Sequence, residues 1–225
     1  MVTKYYILAC SNDTKLKGFK KPRQLTEINK ESLIGRTIRL LKENGIEDIT
    51  IIAKDKKFDK YGKRYEPLNN SYDYNTDKGY WLDAFPFEIM NEPLCFIWGD
   101  VYFSDEAIKT IVNTDTNREM FFCSYNNKSE DYIKHHDEPF AYKIVNTELF
   151  KDNIRRCKKM YDEGKTCRNP IVWEVYRSIN GIYINEHKMK DHYVAINDIT
   201  CDIDNLDDAK KLEEIIKKKV KSEKL

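Results

Sequence analysis

The chain has 225 residues, of which 40% are hydrophobic and 12% aromatic, enough to bury the core of one compact domain. Its 39 Lys and Arg residues nearly balance its 38 Asp and Glu residues, so the net charge of +1 excludes bulk attraction to nucleic acid or an anionic membrane. No apolar run approaches the roughly 20 residues of a membrane helix, and the N-terminal run lacks a signal-peptide cleavage site. The sequence therefore predicts a cytoplasmic protein.

Short apolar strands alternate with helical patterns in the first half of the chain. Gly45 separates a helix from the strand after it, which predicts a strand-helix-strand unit with a parallel, right-handed crossover. A polar, loop-rich insertion follows at residues 54–79. The periodicity predicts strands at 5–10, 49–53 and 94–98, and helices at 32–43 and 105–112.

The second half continues the alternation and ends in a helix with a lysine-rich C-terminus. The predicted strands are 119–125, 140–145, 193–196 and 200–203, and the predicted helices are 148–161, 171–179 and 206–220. This order predicts an α/β fold, a Rossmann-like three-layer α/β/α sandwich with a mixed, mostly parallel sheet. In such folds ligands bind at the carboxyl edge of the sheet.

The six cysteines show no Cys-x-x-Cys spacing, and four of them lie in apolar or strand-like runs. This pattern predicts reduced thiols rather than disulfides or a zinc site. The four histidines also lack metal-ligand spacing with one another. The cysteines are Cys10, Cys95, Cys123, Cys157, Cys167 and Cys201.

Charged residues follow three of the predicted strands. A lysine-rich loop that includes Lys21 connects the first strand to the first helix, a place where a polyphosphate can bind. Asp100 follows the 94–98 strand, and Asp202 and Asp204 lie just before the last helix. Carboxylates are the hard oxygen ligands that Mg²⁺ prefers. The sequence therefore predicts a metal-assisted nucleotide site.

A series of short motifs runs in order along almost the whole chain. They are Leu8-Ala9, Lys15-Leu16, Lys21-Pro22, Leu33-Ile34, Arg36-Thr37-Ile38, Gly45-Ile46-Glu47-Asp48-Ile49, Gly99-Asp100, Phe140-Ala141-Tyr142-Lys143-Ile144-Val145, Glu148-Leu149-Phe150, Asp202-Ile203-Asp204-Asn205 and Asp207-Asp208. Their order and spacing resemble the sugar-phosphate nucleotidyltransferases, including the phosphocholine cytidylyltransferase-like members, which have a GT-A-like fold. The resemblance implies one domain over residues 1–225, with a nucleotide-binding half at 1–115 and an acceptor-binding half, with the closing helix, at 116–225.

The resemblance implies attack of an acceptor phosphate oxygen on the α-phosphorus of a nucleoside triphosphate, with release of pyrophosphate. It also implies Mg²⁺ as cofactor, held by Asp100 and by Asp204, which is favoured over Asp202 because it stands just before the last helix. Helix capping or solvation explains Asp202 equally well. Lys21, assisted by Lys15, is expected to neutralise the triphosphate.

The remaining site residues are also implied by the resemblance. Lys143 and Glu174 are candidate acceptor contacts, although an exposed charge on a strand or helix explains each of them equally well. The family usually has glycines in the first loop and an arginine at the position of Lys15, whereas this chain has no glycine before Gly18. Either the backbone approaches the triphosphate less closely, or the hydroxyl of Ser11 and the amide of Asn12 replace the missing backbone contacts. The expected nucleotide contacts are Leu8, Ala9, Ser11, Asn12, Lys21, Asn75 and Thr76.

The compact length, together with the resemblance to compact CTP-using members of the family, implies CTP as the nucleotide. The resemblance also implies a small phosphorylated alcohol, amino-acid derivative or sugar as the acceptor, in the decoration of a bacterial surface polysaccharide. We expect no nucleic-acid or membrane partner, and a homodimer is left open. Two alternatives stay open as well. One is a GT-A-fold glycosyltransferase, because Asp202-Ile203-Asp204 superficially matches the Asp-x-Asp motif of those enzymes. The other is an inactive nucleotide-binding descendant, which the missing loop glycines favour.

Overall fold

The computed structural model describes residues 4–10, 19–68, 72, 78–134 and 136–222. Its strands are β1 (Lys4–Leu8), β2 (Glu27–Ile28), β3 (Glu31–Ser32), β4 (Asp48–Ile52), β5 (Arg64–Tyr65), β6 (Leu94–Trp98), β7 (Val101–Tyr102), β8 (Met120–Cys123), β9 (Pro139–Ile144), β10 (Tyr193–Ala195) and β11 (Cys201–Asp202). Its α-helices are α1 (Leu33–Glu43), α2 (Asp105–Asn113), α3 (Thr147–Asp162), α4 (Val172–Ile179) and α5 (Leu206–Ser222). Short 3-10 helices lie at Arg23–Leu25, Lys56–Tyr61, Trp81–Ala84 and Phe87–Ile89.

Seven strands form one mixed sheet in the order β10-β8-β9-β6-β1-β4-β5. The antiparallel strand β9 pairs with β6 and β8, and every other neighbouring pair in this sheet is parallel. The predicted α/β fold with a mixed, mostly parallel sheet is therefore confirmed. Two short antiparallel pairs, β2 with β3 and β7 with β11, lie outside the main sheet.

Helices cover both faces of the sheet because each carries one apolar face. Helices α1 and α2 contribute Ile34 and Ile108 to the core on one face, and α3 and α4 contribute Phe150 and Trp173 to the core on the other. Helix α5 packs through Leu212 on a third, smaller cluster beside the β7–β11 pair. The arrangement is the predicted three-layer sandwich with one additional helix at its edge.

Three N-terminal caps fix where helices begin after strands or loops. Ser32 Oγ accepts a hydrogen bond from the amide of Gly35 at the start of α1 (3.2 Å), and Ser104 Oγ accepts one from the amide of Ala107 at the start of α2 (2.9 Å). Asn146 caps α3 in the same way. Such caps satisfy amides that would otherwise lack a partner in the first turn. The helices therefore begin within one residue of the predicted positions.

The carboxyl end of β6 approaches β1 closely at Gly99. The amide of Gly99 donates to the carbonyl of Leu8 (2.9 Å), and a Cβ atom at this position would lie only 2.8 Å from that same oxygen. A larger residue would therefore push the two strands apart. This contact places Asp100, the next residue, directly beside the end of β1.

All six cysteines are free thiols. Cys95, Cys123, Cys157 and Cys201 are buried, and burial is the largest cause that raises the pKa of each of these thiols. A thiol that ionises less readily is a weaker nucleophile and metal ligand. These four cysteines therefore act as core side chains. None of the helices that the structure describes is both long enough and apolar enough to span a bilayer.

Candidate functional site

A cavity of about 540 Å³ opens at the carboxyl edge of the sheet. Leu8 and Trp98, which are neighbours in the parallel register of β1 and β6, form part of its wall together with Asp100. Segments 136–139 and 168–173 of the second half of the chain complete other walls. The cavity therefore lies where the topology of an α/β sheet predicts a ligand site.

Arg23 joins two of the predicted metal carboxylates inside this cavity. Its Nη2 lies 2.7 Å from Oδ2 of Asp100, and its Nη1 lies 2.7 Å from Oδ1 of Asp204. The side chain of Arg23 is 8% exposed, so the two ion pairs are largely shielded from solvent. Arg23 begins a 3-10 helix that follows Pro22, and this turn directs its side chain into the cavity.

Lys134 supplies a second buried cation, next to the carboxylates of Asp202, Asp204 and Asp208. Its Nζ lies 2.8 Å from Asp202 Oδ1, 3.0 Å from Asp204 Oδ2 and 2.8 Å from Asp208 Oδ2, and its side chain is only 6% exposed. Burial by itself lowers the pKa of Lys134, but the charge of Asp202 and the hydrogen bonds to Asp202 and Asp208 outweigh it and raise that pKa. Lys134 is therefore held as an ammonium ion.

The pairing of β7 with β11 brings these carboxylates together. Asp202 lies opposite Val101 in that pair, and the amide of Ile203 donates to the carbonyl of Asp100 (2.9 Å). The amide of Asp204 donates to Asp208 Oδ2 (3.0 Å), which fixes the chain at the entry to α5. Residues that are about 100 positions apart in the sequence thus form one cluster.

The acidic cluster is defined here as Asp100, Asp202, Asp204 and Asp208. Its four carboxylates face the two cations Arg23 and Lys134, which leaves a formal excess of two negative charges. Burial, followed by repulsion from Asp204, raises the pKa of Asp202 above its ordinary value. A cation at this cluster relieves that repulsion, and Lys134 shows that the cluster accommodates one.

Glu138 and His136 lie beside the acidic cluster, and Nε2 of His136 contacts Oε1 of Glu138. Burial, followed by the charge of Asp202, raises the pKa of Glu138 to about 9. Ligand atoms of His136, Glu138 and Asp204 all lie within 4.8 Å of one another. The carboxylates Asp100 and Asp204, with Glu138 nearby, are hard oxygen donors, so the residues present fit Mg²⁺.

The predicted nucleotide contacts have different outcomes. Leu8 lines the cavity, whereas Ala9 is buried in the core and its amide donates to the carbonyl of Ile52 (2.9 Å). Lys21 is absent from the described cavity lining, and its Nζ pairs with Glu27 at 3.0 Å on the surface. A direct contact of Lys21 with phosphate stays a prediction. The predicted contacts Ser11, Asn12, Lys15, Asn75 and Thr76 lie outside the described residues.

The structure gives the two predicted acceptor contacts structural roles instead. Lys143 is buried, and its ammonium donates to the carbonyls of Val112 (3.0 Å) and Thr114 (2.6 Å), where it closes the C-terminal end of α2. Glu174 is buried beneath the cavity wall and forms ion pairs with Arg168 and Arg177. The structure places neither side chain in the cavity lining.

Sequence reasoning missed three cations, Arg23, Lys134 and Arg168. Arg23 follows Pro22 directly, so the Lys21-Pro22 motif indicated the turn but not the arginine that this turn directs into the cavity. Lys134 lies in the polar segment between β8 and β9, where no periodic pattern distinguishes it from surface lysines. Arg168 lies in another irregular segment, just before α4. Lys134 is identified only by its contacts with carboxylates about 70 positions away, and Arg168 only by its position in the cavity lining.

No family model and no curated protein matches this chain. Among solved structures, it resembles the CTP:phosphocholine cytidylyltransferase of Streptococcus pneumoniae at 22% identity and a TM-score of 0.56, covering 96% of this chain and 100% of that one. It also resembles a protein of Bacillus anthracis assigned as a glucose-1-phosphate thymidylyltransferase, at 12% identity and a TM-score of 0.58, over 94% of each chain.

A third similar structure is the inositol-1-phosphate CTP transferase of T. maritima, at 12% identity and a TM-score of 0.51, covering 95% of this chain and 96% of that one. At such identities the likeness establishes the fold. The chain therefore has the nucleotidyltransferase fold that its motif order predicted, over nearly its whole length.

Proposed function

We propose that this protein transfers a nucleoside monophosphate, CMP from CTP, to a small phosphorylated acceptor and releases pyrophosphate. The observation that carries the proposal is the bridge of Arg23 between Asp100 and Asp204 at the carboxyl-edge cavity. The nucleotidyltransferase fold and the CTP-using proteins among the similar structures support it.

The chemistry requires no protein nucleophile. An anionic oxygen of the acceptor phosphate attacks the α-phosphorus, the bond from that phosphorus to the bridging oxygen breaks, and its electron pair leaves with pyrophosphate. The product joins acceptor and nucleoside through a diphosphate. Catalysis then consists of alignment and charge neutralisation, as in other phosphoryl-transfer sites.

The acidic cluster and Arg23 divide this task. Asp100 and Asp204 would hold Mg²⁺, which when bound neutralises phosphate oxygens as a Lewis acid. Arg23 keeps the two carboxylates in place and puts a fixed positive charge next to the reacting groups. Leu8 and Trp98 form an apolar part of the cavity wall that excludes water from this end of the site.

Pyrophosphate release from CTP, UTP, ATP and GTP, measured with a panel of phosphorylated acceptors, tests the proposal. Asp100→Asn should lower turnover about 100-fold to 1000-fold, the scale for loss of one charge-stabilising group. Asp152→Asn, at an exposed position on α3, is the matched control and should leave turnover unchanged. Equal turnover of wild type and Asp100→Asn would contradict the assignment.

Thermal shifts with the same nucleotides in Mg²⁺ test the choice of base. CTP should raise the Tm most, because only a ligand that prefers the folded protein stabilises it. A larger shift with a purine nucleotide would contradict the choice of CTP but not nucleotidyl transfer. Binding of CTP without pyrophosphate release for any acceptor would favour the inactive nucleotide-binding descendant.

A further inference from the structure

The carboxylate of Glu174 holds two guanidinium groups beneath the cavity wall. Its Oε1 accepts hydrogen bonds from Arg168 Nε (3.2 Å), Arg168 Nη2 (3.0 Å) and Arg177 Nη1 (3.1 Å). Its Oε2 accepts from the amide of Ile171 (2.9 Å), at the start of α4. We call Glu174, Arg168 and Arg177 the basic cluster, because two cations share one anion and a formal positive charge is left over.

The two arginines of the basic cluster have different surroundings. The side chain of Arg177 is 4% exposed, and it also donates to the carbonyl of Ile184 (3.0 Å) and contacts Nδ1 of His187 (3.0 Å). The internal contacts of Arg177 use both of its terminal nitrogens, and its side chain does not line the cavity. The side chain of Arg168 is 49% exposed and lines the cavity. The surplus positive charge of the cluster is accessible at Arg168.

The guanidinium of Arg168 is held in a fixed orientation. Two of its nitrogens bind the same oxygen of Glu174, and its Nη1 has no partner in the part of the chain that the structure describes. The backbone on either side is also held: the carbonyl of Arg168 accepts from Thr166 Oγ1 (2.8 Å), and Asn169 Nδ2 donates to the carbonyl of Gly79 (2.9 Å). A donor that is fixed before binding loses little entropy when it meets a ligand.

Arg168 differs from the other arginine of the cavity in what it can bind. Arg23 already bridges Asp100 and Asp204, so its charge is compensated by the acidic cluster. The described lining contains no lysine, and Arg168 is its other arginine. An anion in this part of the cavity would therefore find its cationic partner in Arg168.

We infer that Arg168 binds a carboxylate of the acceptor, a second anionic group remote from the phosphate that reacts. The inference rests on the proposed function, which places the reacting phosphate at Asp100 and Asp204. A guanidinium edge binds carboxylates through directional, charge-assisted hydrogen bonds. The acceptor class is then a phosphorylated amino or hydroxy acid, not a neutral or purely cationic phosphorylated alcohol.

O-phosphoserine and phosphoethanolamine provide a matched pair of probes, because they differ by one carboxylate. Isothermal titration is done on the full chain with Mg²⁺ and a nonhydrolysable CTP analogue, whose own binding is measured first. Wild type should bind O-phosphoserine about tenfold or more tightly than phosphoethanolamine, on the scale of one charge-assisted hydrogen bond.

Arg168→Gln should bring the two affinities within about twofold of each other, and Arg168→Lys should keep an intermediate preference because it retains the charge without the planar fork. Arg155→Gln, an exposed arginine of α3, is the control and should keep the wild-type preference. Absence of binding by O-phosphoserine, equal affinities in wild type, tighter binding of phosphocholine, or a preference that survives Arg168→Gln would each overturn the inference.

The titration with the CTP analogue alone distinguishes failure of this inference from failure of the proposed function. Binding of the CTP analogue without discrimination between the two acceptors would overturn the inference and leave the proposed function standing. A preference for O-phosphoserine that depends on Arg168, without any nucleotide binding, would support the carboxylate site and contradict the proposed function.

Discussion

The acidic and basic clusters lie at the same cavity and have opposite charge balances. In the acidic cluster four carboxylates face Arg23 and Lys134, whereas in the basic cluster the single carboxylate of Glu174 faces Arg168 and Arg177. A cluster with surplus charge is stabilised by a ligand of the opposite charge. The same cavity therefore carries one cluster suited to a cation and another suited to an anion.

Arg23→Gln should have the largest effect, because it leaves Asp100 and Asp204 without their shared cation. Removing one partner of a buried ion pair costs about 3–5 kcal/mol, and we expect a loss of folding free energy near the lower end. Urea denaturation with and without Mg²⁺ is the measurement. Mg²⁺ should stabilise the variant more than wild type, because a bound divalent ion compensates the same carboxylates.

Lys21→Ala is the matched control, since Lys21 lies two residues away and its ion pair with Glu27 is solvent-exposed. Exposed pairs contribute less than about 1 kcal/mol, so the control should unfold nearly like wild type. Similar losses in Arg23→Gln and Lys21→Ala would contradict the importance of the Arg23 bridge.

Glu174→Gln should break the basic cluster by leaving two guanidinium groups together without an anion. Glutamine keeps the shape and can still cap the amide of Ile171, so the expected loss is about 2 kcal/mol, the scale of hydrogen bonds to a charged group. At constant ionic strength, phosphate should raise the Tm of this variant more than that of wild type, whereas Mg²⁺ should not.

Glu148→Gln, at an exposed position in the first turn of α3, provides the comparison for this substitution. Its Tm should respond to phosphate as wild type does. If Mg²⁺ and phosphate stabilised Arg23→Gln and Glu174→Gln to the same extent, the contrast between the two clusters would be wrong.

The pH dependence of stability gives a smaller, graded test. Burial raises the pKa of Glu138 from an ordinary value of 4.5 to about 9, so between these values the folded state keeps a proton that the unfolded state releases. Stability contributed by this group is therefore present below about pH 4.5 and is lost as the pH rises toward 9. One such proton gives a slope of at most about 1.4 kcal/mol per pH unit.

Glu138→Gln should flatten this decline in urea-denaturation free energies measured from pH 5 to 9, while part of the slope persists because the pKa of Asp202 is also raised. Glu130→Gln, at an exposed position in the same segment, should keep the wild-type slope. An unchanged slope in Glu138→Gln would show that the carboxyl group of Glu138 is ionised in the folded protein at neutral pH.

Local patterns predicted, in their observed order, the five α-helices and seven of the strands that the structure describes, because strand and helix periodicity is local. They did not predict the two-residue strands β2, β3, β5 and β7. The 94–98 strand was predicted with its observed limits, and the α/β class followed from alternation alone. Asp100 and Asp204 could also be found, since each stands at the end of an element that the pattern marks. Together with the motif order, these positions were enough to predict a carboxyl-edge site.

Which cations belong to that site depends on contacts that form only in the folded chain. Arg23 and Asp204 are 181 positions apart, and a turn after Pro22 directs Arg23, not Lys21, toward the carboxylates. Lys134 and Arg168 lie in irregular segments, where no periodicity indicates which way a side chain points. Charge pairing depends on distances of about 3 Å between atoms that the chain brings together only when it folds, and local patterns contain no information about those distances.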